Sequence, residues 1–274
     1  MTPTILILIF GLALILVGSG LLGTLLGIRA TIASFNPIET GLIMSGYYAG
    51  YIIGTFLGPK LIRNVGHIRA FASFAALAAA STLGFGLLVD PWAWLALRIL
   101  NGFCLLGLYM VVESWLNEQS TGPARGRIFS TYIMSTLVAL GAGQLMLLAG
   151  DPAGMHLFAI ATILICLGLV PVAVMRVQEP RMDAVEPVAL KQLIIASPLG
   201  SAGCFVSGLI TGAFWGMTAV FSYKMGLDEA DIAMLMTATI MGGALLQWPI
   251  GHLSDRWDRR TCLLYTSPSP RDRS

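Results

Sequence analysis

Long apolar runs separated by short polar segments form the pattern of this 274-residue chain. Each run is close to the roughly 20 residues that an α-helix needs to cross about 30 Å of hydrocarbon. The runs are continuously apolar and do not alternate, which favours helices over the strands of a membrane barrel. The pattern therefore predicts an all-α, polytopic membrane protein. Its eight predicted spans are 5–28, 41–61, 70–89, 92–116, 128–148, 155–175, 199–223 and 232–253.

Composition agrees with this pattern, because 56% of the residues are hydrophobic and 11% are charged, at a mean hydropathy of +0.81. Soluble domains carry about 25% charged residues. The first span follows Met1-Thr2-Pro3-Thr4, which has no basic residue, and no small-residue cleavage motif closes the span. We interpret it as a retained helix, with a removable secretory signal as the alternative.

Basic residues between the spans predict the orientation of the chain. Arg29 and Lys224 alone flank one side, and the positive-inside rule assigns the other side to the cytoplasm. The N-terminus is therefore predicted to be cytoplasmic, and the net charge of +2 reflects topology and indicates no nucleic-acid partner. Trp92 and Trp94 are predicted to lie in an outer interfacial belt. The cytoplasmic basic residues are Lys60, Arg63, Arg69, Arg125, Arg127, Arg176, Arg181, Lys191, Arg256, Arg259 and Arg260.

Two segments of the chain resemble each other at an offset of 192 residues. The segment from Met44, MSGYYAGYIIGTFLGPKLIRNVGHIR, aligns without a gap to MTATIMGGALLQWPIGHLSDRWDRR, from Met236. The match predicts two parallel six-helix repeats. The alternative is a chance match between two glycine-rich apolar sequences. The predicted domains are a first bundle at 1–175, a cytoplasmic linker at 176–196 and two helices of a second bundle at 197–261.

The loop that ends the eighth span resembles a family signature. Residues 251–260, GHLSDRWDRR, are similar to the G-x-L-x-D-R-x-G-R-R loop of the Major Facilitator Superfamily, with Asp258 in place of the second glycine. The corresponding loop of the first repeat keeps Leu61 and Gly66 but has Arg63 where the family has aspartate. In the fourth span, RILNG at 98–102 resembles the family's R-x-x-Q-G motif.

Two further stretches, VGHIRAFA and ESWLNEQSTGPARGRIFSTY, are similar to the YcaD-like branch of this family. The resemblance covers residues 1 to about 261 and implies twelve helices in two bundles around a cavity, of which about eight are present. It implies a monomeric secondary active transporter, with no enzymatic activity and no cofactor. The transporter would move a small solute across the bacterial inner membrane by alternating access, with the proton as a candidate coupling ion.

Other functional classes remain as alternatives. A non-transporting membrane receptor or sensor is one, and a membrane-embedded enzyme is a weaker one. The sequence contains no Walker loop, G-x-S-x-G motif or H-E-x-x-H motif, which argues against ATP-driven transport and hydrolysis. The four cysteines lie singly, without the spacing of metal ligands or of a disulfide framework. The direction of transport and the solute stay open.

The resemblance implies that Asp255 and Arg256 close the cytoplasmic side, since a carboxylate is stabilised near the positive end of a neighbouring helix. The alternative is that the charged cluster only sets topology and solvates a loop, which we favour for Arg259 and Arg260. Arg63 at the aspartate position argues against a symmetric gate. The candidate gating residues are Gly251, Asp255, Arg256, Arg259, Arg260, Arg63 and Gly66.

Ionisable residues inside hydrocarbon usually face a bundle interior or an aqueous cavity. At about 1.5 Å per helical residue, Arg98 lies roughly 10 Å below the outer surface. The resemblance implies a role in proton coupling or in organising the cavity, and snorkelling to the surface is the alternative. Glu113 is a candidate proton-binding site or a structural partner of Arg125 or Arg127.

Uncharged polar and aromatic residues within the spans are the other cavity candidates, with packing as the alternative for each. As a set they favour a neutral or amphiphilic solute. Glycines recur every fourth residue at 46–58 and 208–216, which predicts smooth faces for close helix packing. The candidates are Tyr47, Tyr48, Tyr51, Asn101, Tyr109, Gln144, Trp215 and Gln247.

The final segment, CLLYTSPSPRDRS at 262–274, is polar and interrupted by proline, and it cannot span a membrane. Its order resembles translated sequencing-adapter DNA. We therefore expect a non-native tail on a C-terminally truncated chain, which would not transport by itself. A natural short tail is the alternative.

Overall fold

A computed structural model describes residues 2–119, 124–175, 192, 194, 195 and 197–256, without the side chains of residues 124 and 247–256. Each of the eight predicted spans forms an α-helix, and a short 3-10 helix, Met146–Ala149, extends the fifth. The helices are α1 (Pro3–Ile32), α2 (Pro37–Val65), α3 (His67–Leu87), α4 (Pro91–Gln119), α5 (Ala124–Leu145), α6 (His156–Val174), α7 (Pro198–Lys224) and α8 (Glu229–Arg256).

Proline and side-chain caps fix where the helices begin. Pro37 occupies the first turn of α2, and Asn36 and Glu39 form a reciprocal capping box there. At the start of α4, the Asp90 carboxylate accepts hydrogen bonds from the backbone N–H groups of the second and third residues after it, at 3.0 and 2.9 Å. Pro91 follows this cap. These short polar signals allow adjacent membrane helices to reverse direction within a few residues.

Gly66 separates α2 from α3 in a conformation that other residues rarely adopt, with φ at 88°. Its N–H donates to the Ile62 carbonyl oxygen at 2.9 Å, which closes the last turn of α2. The sequence predicts Gly66 as part of a gating loop, and the structure gives it a local role in the turn as well.

The first six helices form one bundle in which each helix packs against its neighbours in the order α5, α1, α6, α3, α4, α2. The C-terminal pair lies beside this bundle: α7 packs against α1 and α2, and α8 packs against α5. One apolar cluster lies within the bundle, and a second includes Ala219 of α7 and Met236 of α8. The described residues therefore form a six-helix bundle with two further helices on one side, in agreement with the order of bundles that the sequence predicts.

Seven of the described helices are long and apolar enough to cross a membrane, and α2 is not among them. The middle of α2 combines four glycines with Tyr47, Tyr48 and Tyr51, which lower its hydropathy. Large apolar side chains such as Phe205 and Leu209 are exposed on the surface that lipid would cover.

The prediction of an outer interfacial belt is wrong for one of its two tryptophans. Trp92 is exposed, whereas Trp94 is fully buried. Its indole N–H donates to the carbonyl oxygens of Phe85 and Leu88, at 3.1 and 2.6 Å. Trp94 therefore satisfies backbone acceptors at the end of α3 instead of facing lipid headgroups.

Candidate functional site

A cavity of about 330 Å³ lies between the six-helix bundle and the C-terminal pair. Helices α1, α2, α4 and α5 line it on one side, and α7 and α8 line it on the other. The volume is at the lower end of the range for small-molecule sites. Seven sequence-predicted residues meet at its wall: Tyr47, Tyr48, Arg98, Asn101, Tyr109, Gln144 and Trp215.

Helix α4 contributes one continuous face to the cavity. Arg98, Asn101, Leu105 and Tyr109 all line it, at spacings of three and four residues that place them on one side of a helix. Asn101 is held in place because its Nδ2 donates to Ser81 Oγ of α3 at 3.3 Å. Ser81 Oγ in turn donates to the Ala78 carbonyl oxygen at 2.9 Å.

Arg98 is the charged group of this wall, and it is 9% exposed. Its guanidinium carbon lies 4.7 Å from the centre of the Tyr47 ring, which is a cation–π arrangement. Among the described residues, Arg98 Nε has no hydrogen-bond partner. This buried position is the opposite of a side chain that snorkels to the membrane surface.

The α2 tyrosines take different places around Arg98. Tyr47 and Tyr48 line the cavity, and their rings meet edge to face with centres 5.4 Å apart. Tyr51, a predicted cavity residue, is not part of the cavity wall that the structure describes. The hydroxyls of Tyr47 and Tyr51 lie 2.8 Å apart within hydrogen-bonding distance, so Tyr51 positions Tyr47.

Gln144 of α5 is hydrogen-bonded to two residues of α1 at the cavity wall. Its Nε2 donates to the Gly20 carbonyl oxygen of α1 at 3.0 Å, and its Oε1 accepts a hydrogen bond from Thr24 Oγ1. Gln144 and Thr24 are buried and both line the cavity. The pair therefore joins α1 to α5 and presents polar atoms beside the cavity.

Glu113 lies outside the cavity, one turn beyond Tyr109 on α4. Its Oε1 accepts a hydrogen bond from the Tyr132 hydroxyl of α5 at 3.0 Å. Arg125, one of its two predicted arginine partners, instead donates to Asn117 Oδ1 at 3.0 Å. The structure therefore gives Glu113 a tyrosine partner.

The gating candidates are only partly covered by the described structure. Arg63 is exposed in the last turn of α2. The backbone of Gly251, Asp255 and Arg256 belongs to α8, and their side chains lie outside the described residues, as does that of Gln247. Arg259, Arg260, most of the predicted linker and the predicted tail also lie outside. The roles assigned to them stay predictions.

Several cavity residues were not singled out from the sequence, including Ser19, Thr24, Met44, Leu137, Met236 and Thr239. The internal repeat carries a signal for two of them, because it aligns Met44 with Met236 and both are buried against the cavity. The serine and threonine residues of the cavity wall have no such signal in the sequence. Thr239, for example, donates to the Leu235 carbonyl oxygen of its own helix, as threonines in membrane helices often do.

The described residues contain no group of three or more His, Cys, Asp or Glu side chains that could hold a metal ion. Membrane-crossing helices surround a small, mostly apolar cavity with a few polar groups, to which α1 and α8 both contribute. This is the architecture of a multi-pass membrane transporter.

The family model of the Major Facilitator Superfamily matches residues 8–269, so the chain belongs to that superfamily. It is 28% identical over 260 residues to the MFS-type transporter YcaD of Escherichia fergusonii, covering 94% of this chain and 68% of the relative. The YcaD protein of Escherichia coli O139:H28 is 30% identical over 261 residues, with the same coverage. The resemblance to the YcaD-like branch is thereby confirmed.

Solved structures support the same fold. A crystal structure of the nucleoside transporter NupG matches with a TM-score of 0.72 at 14% identity, covering 93% of this chain and 69% of NupG. A mutant of that transporter matches with a TM-score of 0.74 at 13% identity. At this level of identity the likeness establishes the fold and carries no information on the solute.

Proposed function

We propose that this chain is the larger part of a secondary active transporter that moves a small solute across the bacterial inner membrane by alternating access. The observation that carries the proposal is the cavity between the six-helix bundle and the α7–α8 pair. A site shared between two packed units can open to either side when one unit tilts against the other. Family membership supports membrane transport as the class of activity.

The proposed solute contacts are the seven predicted residues that meet at the cavity wall. Tyr51 supports them through the Tyr47 hydroxyl. We also propose that the N-terminus is cytoplasmic, and that Asp255 and Arg256 contribute to a cytoplasmic gate. The basic loops support this orientation through the positive-inside rule.

The test uses the product of the intact gene, reconstituted in proteoliposomes. A defined mixture of small carboxylates, nucleosides and amines is placed outside, and uptake is measured by mass spectrometry against protein-free liposomes. We expect one class to enter faster than in protein-free liposomes, and we expect residues 1–274 alone to give no such uptake. A monodisperse preparation that accelerates none of the compounds would argue for the receptor alternative.

Proton coupling is the finer part of the proposal, with Glu113 as the proton-binding residue. Glu113 follows the cavity face of α4 and is held by Tyr132, so a proton bound there is close to the solute wall. We expect Glu113→Gln to abolish the acceleration of uptake by a pH gradient while leaving solute exchange without a gradient intact. Glu118→Gln is the matched control, because Glu118 is exposed on the same helix, as Glu113 is, but lies further along it from the cavity. Gradient-driven uptake by Glu113→Gln at the unchanged rate would exclude this role.

A further inference from the structure

The charge of the cavity wall is of one sign. Among the described residues that line the cavity, Arg98 is the only one that is ionised at neutral pH, and no aspartate or glutamate lines it. This holds for the described side chains of all six contributing helices, including those of α7 and α8, which contribute Trp215, Met236 and Thr239. Any solute in this cavity therefore meets a single positive charge.

Among the described residues, no anion compensates that buried charge. Arginine stays protonated in proteins, and a buried cation is stable only when a counter-charge or hydrogen-bond acceptors surround it. Around Arg98 the described structure supplies the face of the Tyr47 ring, while its Nε has no hydrogen-bond partner. The side chain is more than nine-tenths buried and is directed into the cavity. The Arg98 guanidinium therefore lacks an anionic partner among the described residues, and a solute bound in the cavity can supply one.

The other side chains of the cavity wall restrict the chemical class of the solute. Aromatic rings of Tyr47, Tyr109 and Trp215 and apolar side chains such as Leu105 and Ile240 surround the charge. Phosphate groups carry close to two negative charges and are generally bound by clusters of arginines or by helix N-termini. One guanidinium in an apolar, aromatic cavity matches a single carboxylate attached to an apolar body.

From this arrangement we infer that the cavity takes a small organic monocarboxylate, whose carboxylate accepts hydrogen bonds from the Arg98 guanidinium and whose apolar body packs against the aromatic wall. The inference rests on the proposed transport function and names the class of its solute. The sequence favours a neutral or amphiphilic solute, and the position of Arg98 narrows this to an anionic amphiphile.

The test measures binding to the intact gene product in detergent, so that it does not depend on transport. The probes are 3-phenylpropionate, benzoate and hexanoate, each compared with its neutral primary amide and with an amine of matched size. Binding is measured by isothermal titration calorimetry. We expect at least one carboxylate to bind at least tenfold more tightly than its amide, and the amines not to bind.

Arg98→Gln is expected to remove this preference, so that the carboxylate and the amide bind equally weakly. Arg98→Lys keeps the charge and is expected to retain part of the preference, which separates loss of charge from loss of fold. Arg125→Gln, the same change at an exposed position far from the cavity, is the matched control and should bind as the unaltered protein does. If Arg98→Gln does not purify as a monodisperse protein, the inference is tested by the probe series on the unaltered protein and on Arg98→Lys.

Equal binding of carboxylates and amides, or no binding of any carboxylate in the series, would overturn the inference. A carboxylate preference in a protein that moves none of these compounds in proteoliposomes would instead count against the transport proposal alone. The two proposals therefore fail by different results.

Discussion

Two glycine stripes of equal spacing are used differently in this molecule. On α2, Gly46, Gly50, Gly54 and Gly58 all face α4. At the centre of that contact a Cβ on Gly50 would collide with the Ile99 carbonyl oxygen and the Phe103 nitrogen, so the two backbones are in direct contact.

The α7 stripe meets softer surroundings. A Cβ on Gly216 would lie 3.2 Å from the Met44 Cβ, and one on Gly212 would lie 3.5 Å from the Tyr48 ring. Gly208 has no heavy atom within 4 Å of the position of such a Cβ among the described residues. Within the bundle, glycine fixes helices backbone to backbone, whereas between the bundle and α7 it leaves contacts with side chains that can move. The proposed alternating access requires such a difference, because α7 has to move against the bundle while the bundle stays intact.

The largest expected effect lies at the α2–α4 contact. Gly50→Ala places a methyl group against backbone atoms that cannot shift without separating the helices, and overpacking of this kind costs about 1–3 kcal/mol. We expect a loss of about 2–3 kcal/mol in SDS titration of the protein in micelles. Gly208→Ala is the matched control, and its effect should stay within about 1 kcal/mol because alanine favours the helix and meets no neighbour. Equal losses in the two variants would remove the contrast between the stripes.

A smaller effect is expected where α1 is joined to α5. Gln144→Ala removes the hydrogen bonds with Thr24 and the Gly20 carbonyl oxygen, and such bonds in membrane helices contribute about 0.6 kcal/mol on average and up to about 1.7. A double-mutant cycle with Thr24→Ala in the same titration should give a coupling energy within this range. Additive losses would show that the pair does not hold the bundle together.

The smallest effect is expected between α5 and α8. Thr237 Oγ1 donates to the Gly141 carbonyl oxygen across this contact at 3.3 Å, a long hydrogen bond. Thr237→Val should therefore change stability by no more than about 0.5 kcal/mol in the same assay. A loss as large as that of Gly50→Ala would mean that α8 is fixed to the bundle and cannot tilt against it.

The sequence predicts the helices well because membrane crossing depends on local composition, and each of the eight apolar runs is a helix in the structure. It also predicts seven residues of the cavity wall, since polar and aromatic groups within spans are rare enough to stand out. Prediction from the sequence fails where the environment of a residue is set by a neighbouring helix. Thr24 is paired with Gln144 across 120 residues of chain, and Trp94 is buried because α3 ends beside it, although its position along α4 suggests an interface.

The most direct test of the central claim asks whether the cavity opens to both sides of the membrane. Ser19 lines the cavity from the middle of α1, and Ser19→Cys is a nearly isosteric probe once Cys166, Cys204 and every further cysteine of the intact gene product except Cys104 are replaced by alanine. Buried Cys104 remains as an internal control that should not react. An impermeant maleimide should label Ser19→Cys of the intact gene product in both right-side-out and inverted vesicles. Labelling from one side only, in both the presence and the absence of the carboxylate probes, would contradict alternating access around this cavity.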